Sequence, residues 1–137
     1  MLAAGIKAAA PAAALPLDRV VATIRDAKGH YRFGAASLSA ADCSGLVSVA
    51  QSLAMGQPLR RWGDTRSLLA GRWPHTIRGA QPTDRFVIGS DAGHMSAAVD
   101  GVAIEATCCG RPFLVGAQAR SPFSFPHVFH LDEAVLL

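Results

Sequence analysis

The hydrophobic period of this chain changes once, from helical to strand spacing, and that single change limits the folds open to it. Leu17, Val20, Val21 and Ile24 follow Pro16 at the spacing of an amphipathic helix, with Asp18 near its start and Gly29 expected to end it. A second helical pattern starts at Cys43, where Leu46, Val47, Ala50, Leu53 and Ala54 fall on one face. Asp42 stands at its N-cap position, and Gly56 with Pro58 closes it. Leu59 to Ala80 reads as an irregular loop with one helical turn around Thr65 to Leu69. Short strand patterns then follow one another at Phe86–Gly89, His94–Val99, Val102–Thr107, Phe113–Val115 and Val128–Leu131. Asp100-Gly101 between two of them is the dipeptide of a tight primed turn, so His94 to Thr107 is expected to form a β-hairpin. Helices first, then strands with no helix between them, predict an α+β domain with the helices packed on an antiparallel sheet.

A chain of 137 residues, half of them apolar and 17% charged, fits one globular domain. Residues 1–15 are Ala-rich and broken by Pro11, and read as a linker or flexible N-terminus. The functional domain is then expected to be 16–137, a reading that leaves room for the chain to be one piece of a longer protein. No apolar run reaches the roughly 18 to 20 residues of a membrane span. The formal charge of +3 suits an acidic polymer such as a bacterial wall, but it lacks the clustering of a nucleic-acid footprint. Arg60, Arg61, Arg66, Arg72 and Arg78, interleaved with Trp62 and Trp73, read as a solvated loop face.

Three cysteines, two of them adjacent (Cys108 and Cys109), make a poor disulfide framework, since neighbours rarely pair. Attention falls on Cys43. A thiol attacks as the thiolate, which a helix N-terminus and a nearby imidazolium both favour. Cys43 lies in the first turn of the second helix, and His94 opens a strand from which an imidazole can be aimed at it. Pairing about Asp100-Gly101 sets Val99 opposite Val102, so His94 comes near Thr107 and Glu105 lies about two residues away on the returning strand. A carboxylate there would orient the ring and stabilise its charged form. The Cys43 backbone N–H is a ready oxyanion donor. Against this stands the plain reading of Cys43 as a small core hydrophobe and of His94 as structural.

Tyr31-Arg32-Phe33-Gly34, a short loop and Asp42-Cys43-Ser44-Gly45-Leu46-Val47 together resemble the signature of the NlpC/P60 cysteine peptidases. Gly93-His94 opening a hairpin resembles that family's histidine block. The resemblance runs from about Pro16 to Leu131. It implies a papain-like α+β fold and hydrolysis of peptide bonds in peptidoglycan stem peptides, with no cofactor and no metal. Carried over, Cys43 is the nucleophile, His94 the base and Glu105 the third catalytic group. Tyr31, Asp42 and Ser44 stand on the substrate and oxyanion side. The family's third position usually holds His, Asn or Gln, so Glu105 is a departure, and Ala35 replaces the family's second glycine. Gly93 to Ala97, Asp100-Gly101-Val102, Glu105-Ala106 and Val128 to Leu131 also resemble peptidase domains in phage tail tape-measure or tail-tip proteins. That implies a virion tail, or otherwise an extracellular or cell-wall location.

Three rival readings accompany this one. A wall-binding or structural virion module could use the same fold without catalysis. A metal site could draw on Cys43, Cys108, Cys109 and His94, although adjacent cysteines fit zinc spacing badly. An amidase or acyl-transfer enzyme would keep the nucleophile and change the reaction.

Overall fold

The apolar face read from Leu17, Val20, Val21 and Ile24 is the buried face of helix α1 (Leu17–Ala27). A computed structural model describes residues 13–137; residues 1–12, most of the expected linker, lie outside the described residues. The helix stops one residue before the expected glycine. Lys28 adopts the left-handed conformation, φ 52°, and caps it through an N–H bond to Arg25 O. Gly29 serves a different purpose: a Cβ there would overlap the Leu38 carbonyl oxygen and the Phe113 ring.

Strands β1 (His30–Tyr31) and β2 (Ala40–Ala41) form a two-residue parallel pair with Tyr31 opposite Ala41. Two residues carry no readable period, so the sequence gives no sign of them. The pair sets Tyr31 beside the start of helix α2 (Cys43–Met55), which ends at Gly56 with φ 70°. Helix α2 is buried on nearly every face, because the segment 59–80 wraps it. Trp73 Nε1 donates to Gln51 Oε1 at 2.7 Å, and Trp62 Nε1 donates to Ser52 Oγ at 2.9 Å. Buried indoles need such partners, and α2 supplies them. The solvated face expected for this segment holds for Arg60, Arg66, Arg72 and Arg78, which are exposed, with Arg60 stacked on Trp62 and Arg78 on Phe129; it is corrected for Trp73, which is buried, and for Trp62 and Arg61, which are half-buried.

The expected helical turn is α3 (Thr65–Leu69), closed by a capping box between Asp64 and Ser67. Six strands follow: β3 (Thr76–Arg78), β4 (Phe86–Ser90), β5 (Met95–Val99), β6 (Val102–Glu105), β7 (Leu114–Val115) and β8 (His127–Leu131). They form one antiparallel sheet in the order β3-β8-β4-β5-β6-β7. Strand β3 was read as loop; it holds one apolar residue, Ile77, and so shows no alternation. The β5–β6 hairpin has the expected register, Val99 opposite Val102, with Asp100 and Gly101 both at positive φ (52° and 78°). That is the torsional requirement of a type I′ turn.

Helices α1 and α2 pack on β5 and β6 around a single core that includes Ile24, Leu46, Leu68, Ile104 and Phe129. Every residue of β4 is buried, because helices cover one face of the sheet and the turn Pro122–Ser124 covers the other. Gly89 makes that cover possible, since a Cβ there would overlap the Pro122 carbonyl. Among the described residues no helix is long and apolar enough to cross a membrane.

Candidate active site

Cys43 is the first residue of α2, and its place follows from the Asp42 cap. Asp42 Oδ1 accepts from Gly45 N at 2.8 Å, and Leu46 N bonds Asp42 O at 2.9 Å. The helix geometry leaves the N–H groups of Cys43 and Ser44 without intrahelical acceptors, at the positive end of a helix of 13 residues. Cys43 is partly exposed and free, whereas Cys108 and Cys109 lie side by side in the turn after β6. On the four-residue metal reading, among the described residues no group of three or more His, Cys, Asp or Glu side chains is arranged to hold a metal ion.

His94 sits at the end of a tight turn just before β5. Asp91 Oδ1 accepts from Gly93 N at 2.9 Å and from His94 N at 2.8 Å, and Ser90 Oγ donates to His94 O at 3.0 Å. These two bonds, the Gly93 one foremost, hold the Asp91 carboxyl below its usual range against the opposing effect of burial. The His94 ring is thereby fixed from behind. Its Nε2 meets Glu105 Oε2 at 2.7 Å, and Glu105, 6% exposed, also accepts Arg120 N on Oε1 at 2.8 Å. With Nε2 engaged, Nδ1 is the nitrogen left for Cys43. The nearby Cys43 side chain is the largest influence raising the His94 pKa above its ordinary value. Burial opposes it, and the Glu105 hydrogen bond adds to it.

The thiol opens into a cleft of about 560 Å³, with Tyr31, Phe33 and Gly34 on one side and Arg61, Thr65 and Gly93 on the other. Burial, followed by the proximity of Cys43 and Asp42, raises the Tyr31 pKa. Its phenol stays protonated at neutral pH and can donate a hydrogen bond. A second hollow of about 570 Å³ lies by Ile24, Lys28 and Phe113, away from Cys43 and without a nucleophile. Chemistry rather than size singles out the Cys43 cleft.

The structure thus brings Cys43, His94 and Glu105 together and sets Tyr31 beside Cys43 in the cleft. Asp42 and Ser44 also border it, but their side-chain oxygens are already engaged. Arg61 Nη2 donates to Asp42 Oδ1 at 2.8 Å, and Gly34 N donates to Asp42 Oδ2 at 2.8 Å. Arg61 Nη1 donates to Ser44 Oγ at 2.7 Å, and Nη2 also reaches Ala35 O at 3.1 Å. Burial alone would raise the Asp42 pKa, yet the bonds from Arg61, Gly34 and Gly45 lower it on balance. The side chains expected on the substrate and oxyanion side therefore brace the helix start.

Arg61 is the residue that sequence reasoning missed. Nothing in its spacing distinguishes it from Arg60, and only the fold brings it back to Asp42, 19 residues earlier. Asp91 was missed too, although Ser90-Asp91-Ala92-Gly93 is a readable Asx-turn signal.

No family model matches the sequence, and no curated protein matches it. Among solved structures, NlpC1 from Trichomonas vaginalis superposes on 85% of this chain with a TM-score of 0.53 at 19% identity. The chain has an NlpC/P60-like fold. It covers 43% of that structure's length, so the likeness extends to less than half of the other protein.

Two stability predictions follow from this architecture. Gly45→Ala sets a methyl group against the Ala35 carbonyl oxygen and Asp42 Oδ1. Backbone cannot yield as a side chain does, so a loss of about 3 kcal/mol is expected in urea unfolding. Arg61→Ala strips a buried carboxylate of its charged partner, at a cost of about 2 kcal/mol. Asp42 has a depressed pKa, so its contribution is present above the ordinary carboxylate value and lost as pH falls through the folded one. The Arg61→Ala deficit should accordingly shrink in acid. A deficit that is constant from pH 7 to pH 3 would show that the ion pair does not carry it.

Proposed function

We propose that this domain is a Cys–His peptidase that hydrolyses peptide bonds of peptidoglycan stem peptides. One observation carries the reading: His94 stands between the Cys43 thiol at a helix start and the buried Glu105 carboxylate, at an open cleft. The resemblance of Tyr31 to Gly34 and Asp42 to Val47 to the NlpC/P60 signature supplies the substrate class. The resemblance of Gly93 to Ala97 and its neighbours supplies the phage-tail setting, with an extracellular or cell-wall site as the other location.

In this mechanism the Cys43 proton passes to His94, giving thiolate and imidazolium. The thiolate attacks the scissile carbonyl carbon and forms an S–C bond. The oxyanion is received by the Cys43 N–H, with the Tyr31 hydroxyl as a second donor. As the carbonyl reforms, the C–N bond breaks and the amine leaves with the imidazolium proton. His94, now neutral, takes a proton from water, whose oxygen attacks the thioester carbon. The acid product departs, and sulfur recovers its electron pair. Glu105 holds one ring tautomer throughout and balances the imidazolium charge.

The test is digestion of purified peptidoglycan and of soluble muropeptides, read by mass spectrometry. A new stem-peptide fragment is the expected result, and its masses identify the bond. Binding to insoluble wall with no fragment from any muropeptide, and a Cys43 thiol inert to alkylation, would replace the reading with a non-catalytic wall-binding module. A thiol that alkylates readily while every stem peptide stays intact would move the reaction to another acyl substrate.

A further inference from the structure

Glu105 is held from two sides, and only one of them belongs to the Cys43–His94 machinery. Its Oε2 meets His94, whereas its Oε1 takes the backbone N–H of Arg120 at 2.8 Å. The carbonyl of that same residue accepts Ser96 Oγ at 2.7 Å. Ser96 is 0% exposed and lies on β5 two residues after His94. A fully buried hydroxyl needs a partner, and this one reaches the segment between β7 and β8. The segment is fixed at further points. Pro122 presses on Gly89, where only a missing Cβ allows the approach. The Arg120 guanidinium lies 3.6 Å from the centroid of Phe125 and donates to Ser124 Oγ at 2.8 Å. The Phe125 ring packs in turn against the His94 ring, with centroids 5.9 Å apart.

We propose that Ser96 and the Arg120 peptide form a positioning relay that aims the Glu105 carboxylate at His94, so that the loop before β8 acts as the orienting arm of the site. The inference rests on the peptidase reading for its consequence in turnover, but not for its geometry. A carboxylate on a strand end can rotate about its last torsion. Only a plane fixed by two acceptor bonds, one to each oxygen, keeps Oε2 on the ring nitrogen. Ser96 touches neither substrate nor reacting atoms and acts through Arg120 and Glu105.

The test follows the His94 titration by NMR in a Cys43→Ala background, with the resonance assigned by its loss in a His94→Gln protein. The charged or titratable groups that face or flank the ring are Cys43, Glu105, Asp91 and Arg120. With Cys43 removed, Glu105 is the main partner still raising the ring's midpoint. Ser96→Ala should move that midpoint down toward the ordinary histidine value, and Ser96→Thr, which keeps the hydroxyl, should restore it. With Cys43 intact, Ser96→Ala should lower kcat about 10-fold, leave KM within about twofold, and shift the alkaline limb of the pH profile downward.

A Ser96→Ala protein with a lower melting temperature and an unmoved His94 midpoint would overturn the proposal and make Ser96 a packing residue. If Ser96→Ala does not fold, Arg120→Pro decides, because it deletes the N–H to Glu105 at an exposed residue. A lowered midpoint there upholds the relay, and an unmoved one overturns it. The titration needs no substrate, so failure of the protein on every stem peptide would count against the peptidase reading alone.

Discussion

Cys43→Ala should leave the fold intact and reduce release of stem-peptide fragments by at least about 10⁴-fold. Cys43 is the residue at which the helix start, the cleft and the imidazole meet, and Cys108 and Cys109 do not line that cleft. The Ala side chain keeps Cβ and the helix register, and Asp42 still caps through Gly45 N, so melting should change little. Fragment release and thermal unfolding must be read on the same preparation, because only that pairing separates lost chemistry from a lost fold. Unchanged fragment release from a folded Cys43→Ala protein would remove the covalent step, and the peptidase mechanism with it.

What the sequence made legible follows the strength of its local signals. Helix α1 shows as an apolar face because one side lies against the core, α2 shows through its apolar spacing and its Asp42 and Gly56 caps although it is buried nearly all round, and the β5–β6 hairpin shows because Asp100-Gly101 meets a torsional need that few other pairs meet. The register of that hairpin carried the expectation that Glu105 comes within reach of His94, and the two side chains do meet at 2.7 Å. Strands β1, β2 and β3 are too short or too polar to carry a period, and they form because partner strands already stand beside them. Arg61 and Arg120 were illegible for a related reason. Their contacts lie 19 and 15 residues away in sequence; Arg61 looks in sequence like any other surface cation, and Arg120 meets Glu105 through a backbone N–H that no residue type announces. The same limit explains Asp42 and Ser44. Adjacency to Cys43 placed them at the cleft, but only the fold turns their oxygens toward Arg61.

Replacing Glu105 should weaken the reaction without erasing it and should move its pH dependence in one direction. Glu105→Gln keeps the volume and an acceptor for Arg120 N, and replaces the charged acceptor that faces His94 with an amide NH2. Turnover is expected to fall about 10-fold to 10²-fold, and further in Glu105→Ala, which also leaves a buried N–H without its partner. The His94 pKa is raised, foremost by Cys43 and then by Glu105, so the imidazolium survives to higher pH than an ordinary histidine would allow. Removing the carboxylate lowers that pKa, and the alkaline limb of kcat/KM should shift to lower pH. Stability carries the same sign. A histidine whose folded pKa is raised stabilises fully below its unfolded value, near 6.5, and loses that contribution as pH rises through the folded value. Wild type should therefore lose stability over that interval, and Glu105→Gln should lose less of it, in urea unfolding followed from pH 6 to pH 9. An alkaline limb and a stability slope both unchanged in Glu105→Gln would mean that Cys43 alone sets the His94 charge. Glu105 would then be a structural acceptor for the Arg120 loop, and the site a Cys–His dyad without a third member.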